Sequence, residues 1–278
     1  MTVVYPDYPG SAGVATGMLA TDRIVSPPEL ESQYTEKLLM LPFSFFLTDH
    51  ADTQQPSLGV EGAVSGGEEC KGWGCQPALG SLSAAGKLTP KAVALLKAVL
   101  EAAKETGAEN MGIWVGQHGT NAVRQLEKIL GPQTNVSVLR RVDRGTHIKR
   151  LSCVDLAIDT PTLNHIATAA DILWASTPFL TLSGRNFASR VGASLVTAVG
   201  LPSMVSRNGV DLVSIATQLL ARRTQLNTFR LKLIKNKASA PLFNSAEWMR
   251  QWERGLRLLV SSQHNFPDQR WHTVIADA

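Results

Sequence analysis

Small and hydroxylated side chains follow a short apolar run at residues 154–158, where the next helix should begin. Among them are Asn164, Ala167 and Thr168, and we predict that the helix starts at Ala167. Where a helix follows a strand of a parallel sheet, its amino end offers unpaired N–H groups and a partial positive charge. Small residues also let a ligand approach the backbone, so the pattern suits a phosphate group. On local sequence alone, a simple helix cap by Asn164 or Thr168 is the more common explanation.

A basic run, RRVDRGTHIKR, covers residues 140–150 and precedes the adjacent strand. It can present Arg144 and His147 to the same crevice as the helix start, and together they indicate a site for an acidic ligand, in particular a nucleotide. A second basic run covers residues 222–237. Such runs usually form a solvated surface, and nucleic acid is disfavoured because no nucleic-acid-binding motif is present.

Short apolar segments alternate with helical patterns from residue 89 onward. Thr89-Pro90 predicts a helix start and Gly107 its end, and a second helix runs from about Thr120 to Gly131. That second helix is predicted to bury Val123, Leu126, Ile129 and Leu130. Strands are predicted at 112–115, 136–139, 154–158 and 179–182, with helices around 147–151 and 167–174. This alternation favours an α/β fold with a parallel sheet covered on both faces.

The two ends of the chain differ from this middle part. Residues 1–50 are predicted to be ordered, with a strand in TDRIVS (21–26) and a short helix and strand in EKLLMLPFSFFL (36–47). Residues 51–88 are rich in Gly, Ser and Glu without periodicity, which indicates a linker or a variable surface loop. Near the other end, Asn244 and Glu247 predict a capping box. The helix that follows should pack through a stripe of Met249, Trp252, Leu256 and Leu259.

Composition limits the class of protein. The chain has 278 residues, of which 44% are hydrophobic, enough to bury a substantial core. Its longest apolar run, residues 38–47, is too short to span a bilayer, and the amino terminus does not resemble a signal peptide, so we expect an intracellular protein with no membrane partner. Three cysteines do not make a disulfide framework, which agrees with a reducing compartment. Cys70 and Cys75 lack a second ligand pair, so no metal site is expected.

Two long blocks carry a resemblance to a known family. DTPTLNHIATAADILWASTPFLTLSGRNFASRVGAS (159–194) and APLFNSAEWMRQWERGLRLL (240–259) resemble the carboxyl-terminal lobe of the protein O-GlcNAc transferase and SPINDLY family. YPDYPGSAG and TDRIVSPPELESQYTEKLLMLPFSFFLTDH are similar to the segment that ends the family's amino-terminal catalytic lobe. The resemblance covers about residues 1–50 and 107–260.

This resemblance implies a GT-B glycosyltransferase, in which two Rossmann-like lobes hold a nucleotide sugar between them. The family transfers N-acetylglucosamine from UDP-GlcNAc to Ser or Thr of cytoplasmic and nuclear proteins with inversion, and needs no metal or other cofactor. SPINDLY-type members use GDP-fucose instead. Residues 1–50 then end the first lobe, and residues 89–278 form the nucleotide-sugar-binding lobe with its carboxyl-terminal helices.

The family's donor-binding positions can be carried over one at a time. Arg144 lies where the family has a nucleotide-contacting lysine, His147 matches a histidine near the nucleotide, and Asp171 matches the carboxylate that binds the ribose. Thr168 matches the second Thr of a His-Thr-Thr stretch at the diphosphate-binding helix start. The implied nucleotide site therefore comprises Gln117, Arg144, His147, Asn164, Ala167, Thr168 and Asp171, and the implied donor-sugar loop contains Gly10, Ser11 and Gly13.

Three departures from the family pattern affect what we expect of catalysis. His165 lies one position before the family histidine, which turns the side chain by about 100° at a helix start. The family's diphosphate-contacting lysine is expected after the strand at 112–115, yet no Lys lies between Glu105 and Glu127. The chain also begins near the end of the first lobe. A partial gene model, a split enzyme completed by another chain and a non-catalytic nucleotide-binding or interaction module all remain open.

Overall fold

The computed structural model describes residues 2–5, 10–52, 70, 78–82, 85–107, 111–116, 120–131, 134–265 and 272–275. Its strands form two parallel sheets, which confirms the predicted α/β class. The first sheet has the strand order β1-β2-β3-β10. Its strands are β1 (Thr2–Val4), β2 (Gly17–Asp22), β3 (Lys37–Leu41) and β10 (Thr273–Val274).

The second sheet has the order β6-β5-β4-β7-β8-β9, which is the strand order of a Rossmann fold. Its strands are β4 (Ala78–Ser81), β5 (Gly112–Val115), β6 (Val136–Val138), β7 (Leu156–Ile158), β8 (Phe179–Leu182) and β9 (Val205–Ser206). The order reverses between β4 and β7, and ligands bind such folds in the crevice outside the carboxyl ends of the strands at this point. β4 lies inside the segment predicted to be a linker. The sequence did not reveal it, because four residues are too few to show the alternating pattern of a strand.

Eight α-helices are present among the described residues. They are α1 (Pro90–Glu105), α2 (Thr120–Leu130), α3 (Arg144–Leu151), α4 (Ala167–Trp174), α5 (Val191–Ala198), α6 (Gly209–Ala221), α7 (Arg223–Asn236) and α8 (Ser245–Asn265). The predicted boundaries of α1 and α2 are confirmed: the side chain of Thr89 caps α1, and the glycines that follow the two helices have positive φ angles, 91° at Gly107 and 93° at Gly131. Ile129 was predicted to be buried but is 47% exposed, because the apolar stripe of α2 is narrower than its sequence suggests.

The last helix, α8, packs on the first sheet. The side chain of Asn244 accepts a hydrogen bond from the backbone N–H of Glu247, which is one half of the predicted capping box; the carboxylate of Glu247 instead accepts from Arg250 and Gln251. The predicted stripe is confirmed at Trp252 and Leu259, which pack on the sheet, and is wrong at Met249, which is 42% exposed while its neighbour Trp248 packs there instead. The helix approaches closely at Gly255, where a Cβ atom would lie 2.7 Å from Cδ1 of Ile275. A glycine on the inner face carries no hydrophobic signal, so the sequence pattern did not reveal this close approach.

The first sheet also departs from its prediction at residues 21–26. β2 ends at Asp22, and its carboxylate accepts hydrogen bonds from the N–H groups of Ile24 and Val25, which form a turn. The same carboxylate accepts a hydrogen bond from the hydroxyl of Ser194 on α5 (2.6 Å). Arg190, just before α5, donates to the carbonyl of Ile24 (2.7 Å). The carboxyl end of β2 is therefore fastened to the second sheet's layer of helices.

One disulfide joins Cys70 to Cys153, across a sequence separation of 83 residues. It ties the segment before β4 to the segment between α3 and β7. The sequence, with three cysteines, did not predict this pairing. Within the described part of the chain, no helix is both long and apolar enough to cross a membrane.

Candidate functional site

The helix α4 begins at the carboxyl side of the second sheet, as the sequence predicted. Its N-cap is Ile166, which supplies no side-chain hydrogen bond, and the first bond into the helix is from Ala170 N–H to the Ile166 carbonyl (3.1 Å). Among the described residues, no acceptor meets the backbone N–H groups of Ala167, Thr168 or Ala169. The helix therefore presents three donors and the positive end of its dipole to whatever lies in front of it.

A cleft of about 540 Å³ lies beside this helix. Ala167 and Asp171 line it from α4, since residues four apart share a helix face. Residues 46–50, which we call the strap, form another wall. Arg144 from the start of α3 and Ser245 from the start of α8 complete the lining. The fold thus brings the strap, Arg144 and the first turn of α4, which are far apart in the sequence, to one cleft.

One of the two oxygen atoms of the Asp171 carboxylate is hydrogen-bonded within the protein. Nε2 of His50, on the strap, lies 2.8 Å from its Oδ1 atom, and His50 is only 4% exposed. Nε2 of His147 lies 3.9 Å from Oδ2, beyond hydrogen-bonding distance. Oδ2 therefore keeps capacity to accept a hydrogen bond from a ligand hydroxyl. Sequence reasoning missed His50; the only signal for it was its place at the end of the first family-like block.

Arg144 already has an anionic partner. Its guanidinium donates two hydrogen bonds to Asp49, at 2.9 and 2.7 Å. This contact lowers the pKa of Asp49 to about 2 and raises the pKa of Arg144. Both side chains are substantially exposed, so the pair exchanges readily with solvent and with an incoming anion.

His147 faces Asp171 with one ring nitrogen and Arg150 with the other. Nδ1 of His147 accepts a hydrogen bond from the guanidinium of Arg150 (2.9 Å). Burial lowers the pKa of His147, and the charge of Arg150 lowers it further, while Asp171 opposes the shift. At neutral pH the ring is therefore uncharged, which suits packing against a nucleotide more than pairing with its phosphates.

Asn164 is fully buried, and its polar atoms bind other parts of the protein. Its amide group donates to the Thr160 carbonyl (2.9 Å), and its Oδ1 accepts from the Gly192 N–H (3.0 Å). The side chain therefore joins the loop before α4 to α5 and does not line the cleft. Thr168 is half-buried on the first turn of α4.

Lys87 supplies a cation that sequence reasoning did not find. Its Nζ donates to the Asn164 carbonyl (2.8 Å), although Lys87 lies in the turn of 3₁₀-helix that follows β4. Burial lowers its pKa, and the charge of Asp159 opposes that shift. The family's lysine is expected after β5, where residues 106–126 contain none. The sheet order, with β4 next to β7, instead brings Lys87 to the loop before α4.

The implied donor-sugar loop lies beside the starts of β2 and β3. Ser11 donates to the carboxylate of Glu36 (2.7 Å), which also accepts from the backbone N–H groups of Ala12 and Val14. Gly13 has a φ of 75°, which favours glycine. Gly10 precedes this hydrogen-bonded turn, and none of the hydrogen bonds found among the described residues connects the loop to the cleft. Gln117 lies outside the described residues.

Comparisons with known proteins match most of this chain. The family model for glycosyl transferase family 41 matches residues 1–64 and 110–252. The SPINDLY protein of Petunia hybrida, a probable UDP-N-acetylglucosamine–peptide N-acetylglucosaminyltransferase, is 27% identical over 262 residues, covering 92% of this chain and 27% of that protein. The SEC protein of Arabidopsis thaliana, described in the same way, is 27% identical over 263 residues, covering 91% of this chain and 26% of that protein. The chain thus spans about a quarter of these relatives.

Solved structures show the same fold. A mutant of the Thermobaculum terrenum O-GlcNAc transferase matches with a TM-score of 0.77 at 20% identity, over 92% of this chain and 48% of that chain. WaaG, a glycosyltransferase of lipopolysaccharide biosynthesis, matches with a TM-score of 0.57 at 14% identity, over 84% of this chain and 61% of that one. S. aureus TarM, solved with UDP, has a TM-score of 0.57 at 13% identity, over 85% and 43% of the two chains. The chain therefore belongs to glycosyl transferase family 41 and has the fold of the GT-B glycosyltransferases.

Proposed function

We propose that this chain binds UDP-N-acetylglucosamine in the cleft beside α4 and serves protein O-GlcNAc transfer to Ser or Thr residues of intracellular proteins. The observation that carries the proposal is the placement of Asp171 one turn beyond the unpaired N–H groups of α4, in the same cleft. A carboxylate can accept hydrogen bonds from the hydroxyl groups of a ribose while the N–H groups at the helix start bind a diphosphate. A nucleoside diphosphate sugar presents both groups in one ligand.

The positive charges around the cleft suit the chemistry of transfer. Breaking the bond between C1 of the sugar and the β-phosphate oxygen leaves negative charge on the diphosphate, which helix N–H groups and fixed cations stabilise. Lys87 lies at the loop before α4, and Arg144 lines the cleft, where it can exchange Asp49 for a phosphate. The acceptor hydroxyl attacks C1 from the other face and loses its proton to a base, which we do not assign.

The choice of UDP over GDP follows the relatives, which are named for UDP-N-acetylglucosamine. The test is calorimetric titration of the purified chain with UDP, UDP-GlcNAc and GDP, repeated on Asp171→Asn. We expect saturable binding of UDP that the substitution weakens at least tenfold. The matched control is Glu101→Gln, an exposed carboxylate on α1 that pairs only with Lys97 among the described residues.

Two results would contradict the proposal: a folded chain that gives no heat with UDP, and an Asp171→Asn variant that binds UDP as tightly as the wild type. Binding of GDP alone would instead indicate a GDP-fucose donor.

A nucleotide-binding module without turnover is the second candidate. It is favoured by His165, which is 1% exposed and bound to Asp159 rather than facing the cleft. Incubation with UDP-GlcNAc and a Ser/Thr-rich acceptor protein separates the two candidates. UDP binding accompanied by neither transfer nor release of UDP from the donor supports the module, whereas incorporation of sugar into the acceptor supports the transferase.

A further inference from the structure

Asp159, the first residue after β7, accepts hydrogen bonds from its own loop and from β8. Its Oδ1 atom accepts from the backbone N–H groups of Thr160 and His165, each at 2.8 Å. Its Oδ2 atom accepts from the hydroxyl of Thr181 on β8 (2.7 Å). Asp159 is 3% exposed, so this carboxylate holds both ends of the loop 159–166 inside the protein.

The imidazole of His165 adds a further hydrogen bond to the same carboxylate. Its Nδ1 atom lies 2.6 Å from Oδ1 of Asp159, and the ring packs edge-on against Phe179. Its Nε2 atom is buried and meets no hydrogen-bond partner among the described residues. An imidazolium would bury an unsatisfied N–H group there, whereas the neutral ring with its proton on Nδ1 leaves only a lone pair unpaired. In either case, donation to the Asp159 carboxylate requires a proton on Nδ1.

Packing on the other side prevents this pair from shifting. A Cβ atom on Gly192 would lie 2.2 Å from Oδ2 of Asp159, so the start of α5 is in direct contact with the carboxylate. Asn164, which precedes His165, accepts hydrogen bonds from the N–H group of Gly192 and from Nζ of Lys87. Since Ile166 provides no side-chain cap, the path of the chain into α4 is set by these contacts instead.

We propose that His165 is a positioning residue for donor binding. Through Asp159 it fixes the loop 159–166, and thereby aims the N–H groups of the first turn of α4 at the diphosphate. His165 does not touch the ligand. This inference rests on the proposed function, because it assigns a role to His165 in the same nucleotide site.

The test compares two substitutions of His165. His165→Phe keeps a planar ring but removes the donor, and we expect it to weaken UDP binding about tenfold. His165→Asn keeps a side-chain N–H group, on Nδ2, close to the position of the histidine Nδ1 atom. We expect this variant to recover most of the affinity that His165→Phe loses. Exposed His264, near the end of α8, offers the control His264→Phe, which should bind UDP as the wild type does. A purely structural role would lower the melting temperature without this rescue of affinity by Asn.

Hydrogen exchange across residues 159–170 provides a readout that does not depend on nucleotide. We expect His165→Phe to speed exchange there at least fivefold and His165→Asn to restore it. If wild type binds no nucleotide but exchange responds in this way, the proposed function fails while the positioning of α4 stands. If both affinity and exchange are unchanged in His165→Phe, the inference is wrong.

A measurement on the wild-type protein covers the case in which His165→Phe does not fold. The ¹⁵N shifts of the His165 ring report its tautomer directly. We expect a ring protonated on Nδ1. A ring protonated on Nε2 alone could not donate to Asp159 and would overturn the inference.

Discussion

Nε2 of His50 lies 2.8 Å from Oδ1 of Asp171, and this contact joins the strap at 46–50 to α4. The two residues are 121 positions apart in the chain. The strap leaves the first sheet after β3, whereas α4 belongs to the second. This hydrogen bond thus connects the segment that follows the first sheet to a helix of the second. It also orients the carboxylate that is proposed to meet the ribose.

His50→Phe should destabilise the fold and weaken UDP binding. The substitution preserves an aromatic ring beside Trp174 and Phe243 but leaves the Asp171 carboxylate without its donor. A lost hydrogen bond to a partly buried charged group costs about 1–3 kcal/mol. Urea denaturation measures this cost, with His264→Phe as the control. Equal midpoints for His50→Phe and wild type would show that the contact contributes nothing to stability.

Asp49→Asn should strengthen binding of UDP, because it releases Arg144 from its carboxylate partner. Exposed ion pairs are worth only a fraction of a kcal/mol, so we expect a gain of about twofold to fivefold. Arg144→Gln should weaken binding and should also raise the pKa of Asp49 from about 2 toward 3.8. Calorimetry and NMR titration of the carboxyl resonance check the two effects. Loss of affinity in Asp49→Asn would mean that Asp49 itself supports the ligand.

His147 should titrate below its ordinary pKa of 6.5, because burial and the charge of Arg150 disfavour the protonated ring. The pKa of His147 is lower in the folded than in the unfolded state. The contribution of the neutral ring to stability is therefore full above pH 6.5 and is lost as the pH falls through the folded-state pKa. Asp171→Asn should lower the pKa of His147 further, since Asp171 is the group that raises it. NMR titration of the His147 ring protons measures this pKa. A midpoint above 6.5 would show that the charge of Asp171 outweighs burial and the charge of Arg150.

Gly192→Ala should destabilise the protein and weaken nucleotide binding together. The new methyl group would lie 2.2 Å from Oδ2 of Asp159 and 2.4 Å from Oγ1 of Thr181, so the loop before α4 must move. Overpacking of this kind costs about 1–3 kcal/mol. Gly86→Ala is the matched control, since a Cβ atom there meets nothing within 4 Å. Thermal unfolding and UDP titration measure both effects, and an unaffected Gly192→Ala would contradict the close contact.

Reduction of the Cys70–Cys153 disulfide should lower stability, because the bond closes a long loop in the unfolded chain. For such a loop the chain-entropy model gives about 4–5 kcal/mol, which native-state effects usually reduce. Cys153→Ser should reproduce the effect of reductant, whereas Cys75→Ser should not. Thiol titration of the unreduced, denatured protein should find one reactive thiol among the three cysteines; finding all three would show that the bond does not form.

Local sequence patterns predicted most of the second sheet. Thr89-Pro90 and the glycines at 107 and 131 mark helix ends by the backbone conformations that they favour, and these act within a few residues. The pattern missed β4 and the close approach of α8 to the first sheet. A four-residue strand shows no period, and the closest approach of α8 uses Gly255, which has no side chain to reveal it.

The candidate site divides in the same way. By itself, the sequence determined the family-like blocks, the start of α4 at Ala167, and the residue types at 144, 147 and 171, because these depend on local order along the chain. Only the tertiary structure decided that Lys87 reaches the loop before α4, that His50 binds Asp171, that Arg144 is paired with Asp49, and that Asn164 and His165 turn inward. The sheet order sets which loops meet, and burial leaves each polar atom to find the partner that the surrounding fold provides.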